Sequence, residues 1–305
     1  MRYRPLGKSA MSVSAVSLAL VDNPARPRPS DWEAIVYSAL ENGVNAFEVV
    51  GRHPSIGEGL ANALQAVERR LVCVAWRLGW TPGPAGAPVR DFSAEALTRT
   101  IQGVLTRTGL GYLDVALLDD PQADELNPPA LAAMKALREA GQLRWLGVTG
   151  QDDAMDAYIS SGAFDVVCLP YNLISGWKDR LRLKAAVERD MAVFGFNYYP
   201  DVFRGPSGPA PKTSIWGGAN SDNPLAGAGT YAFLDRTQSW TGEEICLSYA
   251  LTEPSLATIQ IVADRPQRIE ALSAVTERDL PPGVAAQIEM ARFSPTGPGQ
   301  RLRRA

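Results

Sequence analysis

The chain has one histidine, His53, and three cysteines, Cys73, Cys168 and Cys246, among 305 residues. A single imidazole with no Cys-x-x-Cys pair is too few ligands for a zinc site. The cysteines are widely separated and sit among apolar neighbours, so they read as small buried hydrophobes rather than as a disulfide framework or a metal centre. Long apolar runs are also missing: none approaches the roughly 18–20 residues that span a bilayer. The opening Met1-Arg2-Tyr3-Arg4-Pro5 is not followed by a signal-peptide core and cleavage site. Charge of one sign is lacking too, and a formal net charge of −3 gives no general attraction to nucleic acid or to an anionic membrane. The expectation is a soluble cytoplasmic protein with a small-molecule substrate or ligand, no nucleic-acid partner, no membrane and no metal.

What is present is a core's worth of apolar residues, 46% of the chain, arranged in a repeating order. Short β-branched apolar runs occur at residues 12–20, 44–49, 71–75, 112–118, 144–148, 165–169, 192–197 and 258–262, giving eight candidate strands. Segments between them, at 31–42, 93–108, 129–140, 154–160, 178–189 and 241–251, carry apolar residues at the i, i+3, i+4 spacing of amphipathic helices. Continuous apolar strands alternating with such helices imply a parallel sheet covered by helices. Eight such units, with no Gly-x-Gly-x-x-Gly after the first strand, favour a closed (β/α)8 TIM barrel over a doubly wound sheet, as one domain over residues 1–305. Gly43, Gly141 and Gly162 follow helices as left-handed caps, and Asp31 (or Ser30) and Ser93 are N-cap candidates. Residues 198–240 break the rhythm: a long loop after the seventh strand, rich in Gly and Pro but carrying Trp216, Tyr231, Phe233 and Trp240, suits a lid or binding loop.

Several passages in one order carry a resemblance. Tyr3-Arg4-Pro5-Leu6-Gly7-Lys8-Ser9 precedes the first strand, and Glu41-Asn42-Gly43-Val44-Asn45-Ala46-Phe47 leads into the second. Tyr112-Leu113-Asp114, Arg144-Trp145-Leu146-Gly147-Val148 and Pro170-Tyr171-Asn172-Leu173 follow. Together they resemble the aldo-keto reductases, which implies a (β/α)8 barrel opened by an N-terminal β-hairpin. The stretch from Phe47 to Glu58 resembles the family segment Phe-Asp-Thr-Ala-x-x-Tyr-Gly, which supplies the Asp and Tyr of the catalytic tetrad. By position the tetrad Asp becomes Glu48, the Tyr becomes His53, the Lys becomes Arg77 and the His becomes Asp119, so all four identities differ. The replacements are polar and fall on the C-terminal rim where barrel enzymes place their sites. They are expected to form one hydrogen-bonded set, with Glu48 or Asp119 orienting His53.

The resemblance also implies an NADP(H) cleft with drifted contacts. Thr149 and Cys168 stand where the family binds the nicotinamide amide, Phe196 where an aromatic stacks on the ring, and Arg265 and Arg268 where basic residues meet the phosphates. Three functions are compatible with these residues. The first is a small-molecule enzyme turned to non-redox acid–base chemistry, of the lyase or isomerase type, centred on His53. The second is a catalytically silent ligand- or cofactor-binding protein, and the third a divergent NADP(H)-dependent oxidoreductase with His53 as proton donor.

Overall fold

Successive residues of a strand face opposite sides of the sheet, and in this chain both sides are apolar. Val16, Leu18 and Leu20 pack outward with Phe47, Val49 and the helices, whereas Ala46, Cys73, Ala75, Leu117 and Phe194 form a separate inner cluster. Strands covered on both faces suit a barrel wrapped by helices. A computed structural model describes residues 1–83, 87–204, 231 and 233–293. Its elements run in the order β1 (Tyr3–Pro5), β2 (Ser12–Ser14), β3 (Val16–Leu20), α1 (Pro29–Glu41), β4 (Ala46–Val49), α2 (Pro54–Leu64), β5 (Cys73–Leu78), β6 (Trp80–Pro82), β7 (Pro88–Arg90) and α3 (Ala94–Thr108). Then come β8 (Leu113–Asp119), α4 (Pro128–Glu139), β9 (Leu143–Thr149), α5 (Ala154–Ser161), β10 (Val166–Pro170), α6 (Trp177–Glu188), β11 (Ala192–Phe196), α7 (Phe233–Arg236), α8 (Gly242–Leu251), β12 (Leu256–Val262), α9 (Pro266–Ala274) and α10 (Pro282–Phe293).

The barrel is closed in the order β3-β4-β5-β8-β9-β10-β11-β12, with β12 pairing back to β3 and every pair parallel. The expected (β/α)8 barrel is therefore present. The antiparallel hairpin β1–β2 plugs its lower end, where Leu6 and Val13 join the inner cluster. Among the described residues no helix is long and apolar enough to cross a membrane.

Some boundaries depart from the sequence expectation. The run 12–20 is two strands, because β2 belongs to the plug and β3 to the barrel. Helix α2 was not expected, since Gly57 and Gly59 lower helix propensity. Close packing explains both glycines. A Cβ on Gly59 would lie 2.3 Å from the Pro29 carbonyl oxygen of α1, and one on Gly57 would lie 2.7 Å from the Trp76 ring. The hairpin β6–β7 was likewise not anticipated in a stretch dense in Gly and Pro. Of the caps, Ser93 accepts from the Ala96 N–H at 3.2 Å as expected. Asp31 does not cap. It lies inside α1, and its carboxylate instead takes the Arg28 N–H at 3.2 Å. Gly43, Gly141 and Gly162 hold φ of +79°, +73° and +69°, the left-handed values expected after helices.

The loop after the seventh barrel strand holds a 3-10 turn at Asp201–Phe203 and the short α7. Tyr231 packs between Phe203 and Phe233, with ring centroids 5.1 and 6.2 Å away. Trp216 lies outside the described residues.

Near the lower rim, Asp114 is fully buried and holds β5 to β8. Its carboxylate accepts the Val74 N–H at 2.9 Å and pairs with Arg69 at 2.8 Å and Arg144 at 3.1 Å. The two guanidiniums lie over the Tyr112 ring, 4.2 and 4.0 Å from its centroid. Burial raises the Asp114 pKa, against the lowering pull of Arg69, the Val74 N–H and Arg144. Exposed pairs such as Lys135–Glu139 contribute little by comparison. Asp114→Ala should therefore cost about 3–5 kcal/mol, since it removes the carboxylate shared by Arg69 and Arg144 and leaves the Val74 N–H unbonded. Urea unfolding of the variant against the parent protein measures that difference.

Candidate functional site

Above the inner cluster, the next inward positions of three neighbouring strands are charged. Glu48 ends β4's inward row, Arg77 that of β5 and Asp119 that of β8. Arg77 Nε donates to Glu48 Oε1 at 2.6 Å and Nη1 to Asp119 Oδ1 at 2.9 Å. Glu48 is 2% exposed, while Arg77 and Asp119 are 18% and 20% exposed, so the triad closes the barrel mouth while its outer edge meets solvent. Gln260 of β12 donates to Glu48 Oε2, and the Trp80 indole donates to Asp119 Oδ2 at 2.8 Å. Each carboxylate thus has both oxygens engaged. Burial alone would lower the Arg77 pKa, but the charges of Glu48 and Asp119 and the Glu48 hydrogen bond outweigh it and raise the pKa further. Arg77 is a fixed cation here and not a proton donor.

His53 does not join this set. It is the N-cap of α2, where Nδ1 accepts the Ser55 N–H at 3.3 Å and lies 2.7 Å from Ser55 Oγ. The backbone N–H groups of Arg52 and His53 donate to the Asp22 carboxylate at 3.0 Å, fixing the turn. The expectation that Glu48 or Asp119 orients His53 is corrected: neither is hydrogen-bonded to it. The physical reason is local. Pro54 opens α2 with no N–H of its own, and the imidazole meets the first free N–H of that helix. An acceptor at Nδ1 suits the tautomer protonated at Nε2, and His53 is an exposed residue.

The remaining sequence candidates separate into two groups. Thr149 and Cys168 are buried at 2% exposure each, in register on β9 and β10, and Thr149 also faces Asp119 on β8. Burial, then the charge of Glu48, pushes the Cys168 thiol up, so it stays protonated. Phe196 ends β11 and packs partly buried on the inner cluster. Arg265 and Arg268 stand apart from these, at the N-terminus of α9. They line a cavity of about 510 Å³ with Tyr198, Arg204, Glu243, Gln260 and Asp264. Gln260 connects this cavity to the triad, since it touches both.

Four residues of the site were not singled out from sequence: Trp80, Tyr198, Glu243 and Gln260. Gln260 carried a readable signal, a polar residue inside the apolar strand Leu256–Val262. Glu243 looked like an ordinary acid in a helix's first turn. Trp80 belongs to the unexpected hairpin, where the guanidiniums of Arg52 and Arg90 lie 5.5 and 5.3 Å from its ring centroid. Arg90 also pairs with Glu125 at 2.6 Å, tying the hairpin to the loop after β8.

Removing Arg77 would leave two carboxylates facing each other in a part-buried mouth. Arg77→Ala should lose about 3–5 kcal/mol in chemical unfolding, whereas Arg77→Lys, which keeps the charge, should lose less. The hairpin tether responds to acid. The Arg90 hydrogen bond holds the Glu125 carboxyl below its ordinary value. Its stabilising contribution is therefore complete above the ordinary glutamate range and disappears as pH falls through the lower folded value. Tryptophan emission of the parent protein should show an acid transition below that range which Glu125→Gln lacks.

No family model matches the chain. L-galactose dehydrogenase from Arabidopsis thaliana is 30% identical over a 162-residue alignment, and the match covers 48% of this chain and 48% of that protein. The match thus spans about half the length of that curated relative. Among solved structures, the holo form of aldo-keto reductase AKR11C1 from Bacillus halodurans superposes with a TM-score of 0.75 at 18% identity, covering 95% of this chain and 96% of that one. Glycerol dehydrogenase AKR11B4 from Gluconobacter oxydans gives 0.72 at 15% identity, covering 95% and 94%. The chain has the fold of the aldo-keto reductases.

Proposed function

We propose that this barrel binds a nicotinamide dinucleotide, or a small phosphorylated molecule of that kind, in the cleft between residues 197–204 and α9, and that it does not reduce carbonyl groups. The observation that carries the reading is the Arg77 guanidinium held between Glu48 and Asp119. Carbonyl reduction needs a proton for the oxygen and positive potential where the alkoxide develops. Here two carboxylates stand against one guanidinium, whose Nε and Nη1 are each directed at a carboxylate. Tyr198, the phenol that lines the cleft, donates to Glu243 at 2.7 Å, and its pKa is raised by burial and by that carboxylate's charge.

The cleft suits the phosphate end of a dinucleotide better than the nicotinamide end. The Arg265 side chain makes no hydrogen bond or ion pair among the described residues and stands at the N-terminus of α9, where the helix dipole favours an anion. At the other end the buried Cys168 thiol is a weak partner for a carboxamide, leaving Thr149 as the polar group available. A bound nicotinamide would bring hydride chemistry, and the triad offers no matching proton.

An elimination or isomerisation centred on His53 draws less support, because such chemistry needs the imidazole coupled to a second group and His53 instead caps α2. A divergent reductase is the second reading, favoured by the exposure of His53 and by the names of the similar proteins, which are reductases and dehydrogenases.

The test is quenching of tryptophan fluorescence by NADH and NADPH, followed by nicotinamide absorbance with a panel of aldehydes and ketones. Saturable binding at or below about 1 mM cofactor, with no carbonyl-dependent oxidation above the protein-free rate, is expected. Carbonyl-dependent oxidation that His53→Ala abolishes would establish the second reading instead, and absence of binding by either cofactor would remove both.

A further inference from the structure

We infer that Glu243 is a selectivity residue that makes the cleft accept a nucleotide with free ribose hydroxyls and reject one carrying an extra phosphate monoester, so that NAD(H) is preferred to NADP(H). This rests on the reading that the cleft holds a dinucleotide, and it runs against the cofactor that the sequence resemblance implies.

The cleft's cations are not equally available. Arg268 Nη2 donates to Glu243 Oε1 at 2.7 Å and its Nε to the Val262 carbonyl at 3.2 Å, which spends two edges of the guanidinium inside the protein. Arg204 pairs with Asp201 at 3.3 Å and donates to the Tyr199 carbonyl at 2.9 Å. That leaves Arg265 as the cation without a partner among the described residues, with Asp264 next to it in the lining. One unpaired cation at a helix N-terminus suits one diphosphate linkage. It does not suit a second, dianionic phosphate at Arg268.

Glu243 is held in place from the other side as well. The same Oε1 accepts the Tyr198 hydroxyl at 2.7 Å, and the carboxylate is 17% exposed, so a phosphate arriving at Arg268 would have to displace a charge-assisted pair from a fixed carboxylate. Like charges at that separation repel, and the shielding of bulk water is reduced. Glu243 lines the cavity and its Oε2 accepts no hydrogen bond among the described residues, which leaves that oxygen as an acceptor for a sugar hydroxyl. Glu243 thus presents a hydroxyl-binding edge where the resemblance implies a phosphate-binding one.

Isothermal titration calorimetry of the whole protein with NADH and NADPH reads this directly. The parent protein should bind NADH about tenfold or more tightly than NADPH, and Glu243→Gln should shrink that ratio chiefly by improving NADPH. Raising ionic strength should narrow the ratio in the parent protein, a measurement that needs no variant. Equal or tighter NADPH binding by the parent protein, or a ratio indifferent to salt, overturns the inference while leaving the dinucleotide reading intact. An unchanged ratio in a Glu243→Gln variant that melts with the parent does the same. Failure of both cofactors to bind overturns the dinucleotide reading and the inference with it.

Discussion

A guanidinium clamped between two carboxylates governs how the upper half of this barrel is built. Below Arg77 the interior is filled by small and medium apolar groups such as Ala46, Cys73, Ala75 and Leu117. A charged layer directly above them is stable only if each charge is paired and each oxygen bonded. Gln260 and Trp80 complete that pairing from opposite sides, β12 and the β6–β7 hairpin. The hairpin is therefore more than a surface excursion, since its indole satisfies the last oxygen of Asp119. Stability alone is a poor account of such a triad, because an apolar replacement of similar volume is often as stable. What the triad does secure is a layer of fixed, paired charge at the mouth.

His53 shows how a local demand can override a plausible partnership. The sequence places it one short loop beyond Glu48, near enough for a carboxylate–imidazole pair. Yet the helix that begins at Pro54 leaves N–H groups uncapped, and Nδ1 meets the one on Ser55. Asp22, from the segment after β3, fixes the backbone of the same turn through two N–H groups. A ring held this way has one nitrogen, Nδ1, occupied within the fold. The resemblance in sequence position between His53 and a proton-donating tyrosine thus does not carry over into a shared hydrogen-bond network.

The barrel was legible because its strands are apolar on both faces and its helices on one, a pattern that few other architectures produce. Glycine caps at 43, 141 and 162 were legible for the same kind of reason, a left-handed backbone that glycine adopts without strain. Helix α2 was not, because Gly57 and Gly59 weaken helix propensity locally while serving a close approach to Trp76 and α1 that only the assembled fold displays. In the site, Glu48, Arg77 and Asp119 could be brought together on paper because they end neighbouring strands. Their closure on one another could not be read, nor could Glu243's hold on Arg268, since that pair joins α8 to α9 across a cleft. Side-chain pairing between elements distant in sequence leaves no periodic trace.

Charge along the cleft gives a bound ligand a direction. At the barrel mouth, acid outnumbers base in the triad, while the far end offers Arg265 at the positive end of the α9 dipole. Gln260 stands between, bonded to Glu48 on one side and lining the cavity on the other. An elongated molecule with phosphate at one end and an uncharged or cationic ring at the other fits this gradient in one orientation only, because reversal would bring phosphate against Glu48 and Asp119. Arg268 would extend the positive end if it were free. Paired with Glu243 it contributes neutral surface instead, and the positive end shrinks to what one diphosphate can use. The same carboxylate chemistry therefore acts at both ends of the cleft: Glu48 and Asp119 neutralise an arginine at the mouth, and Glu243 neutralises one beside α9.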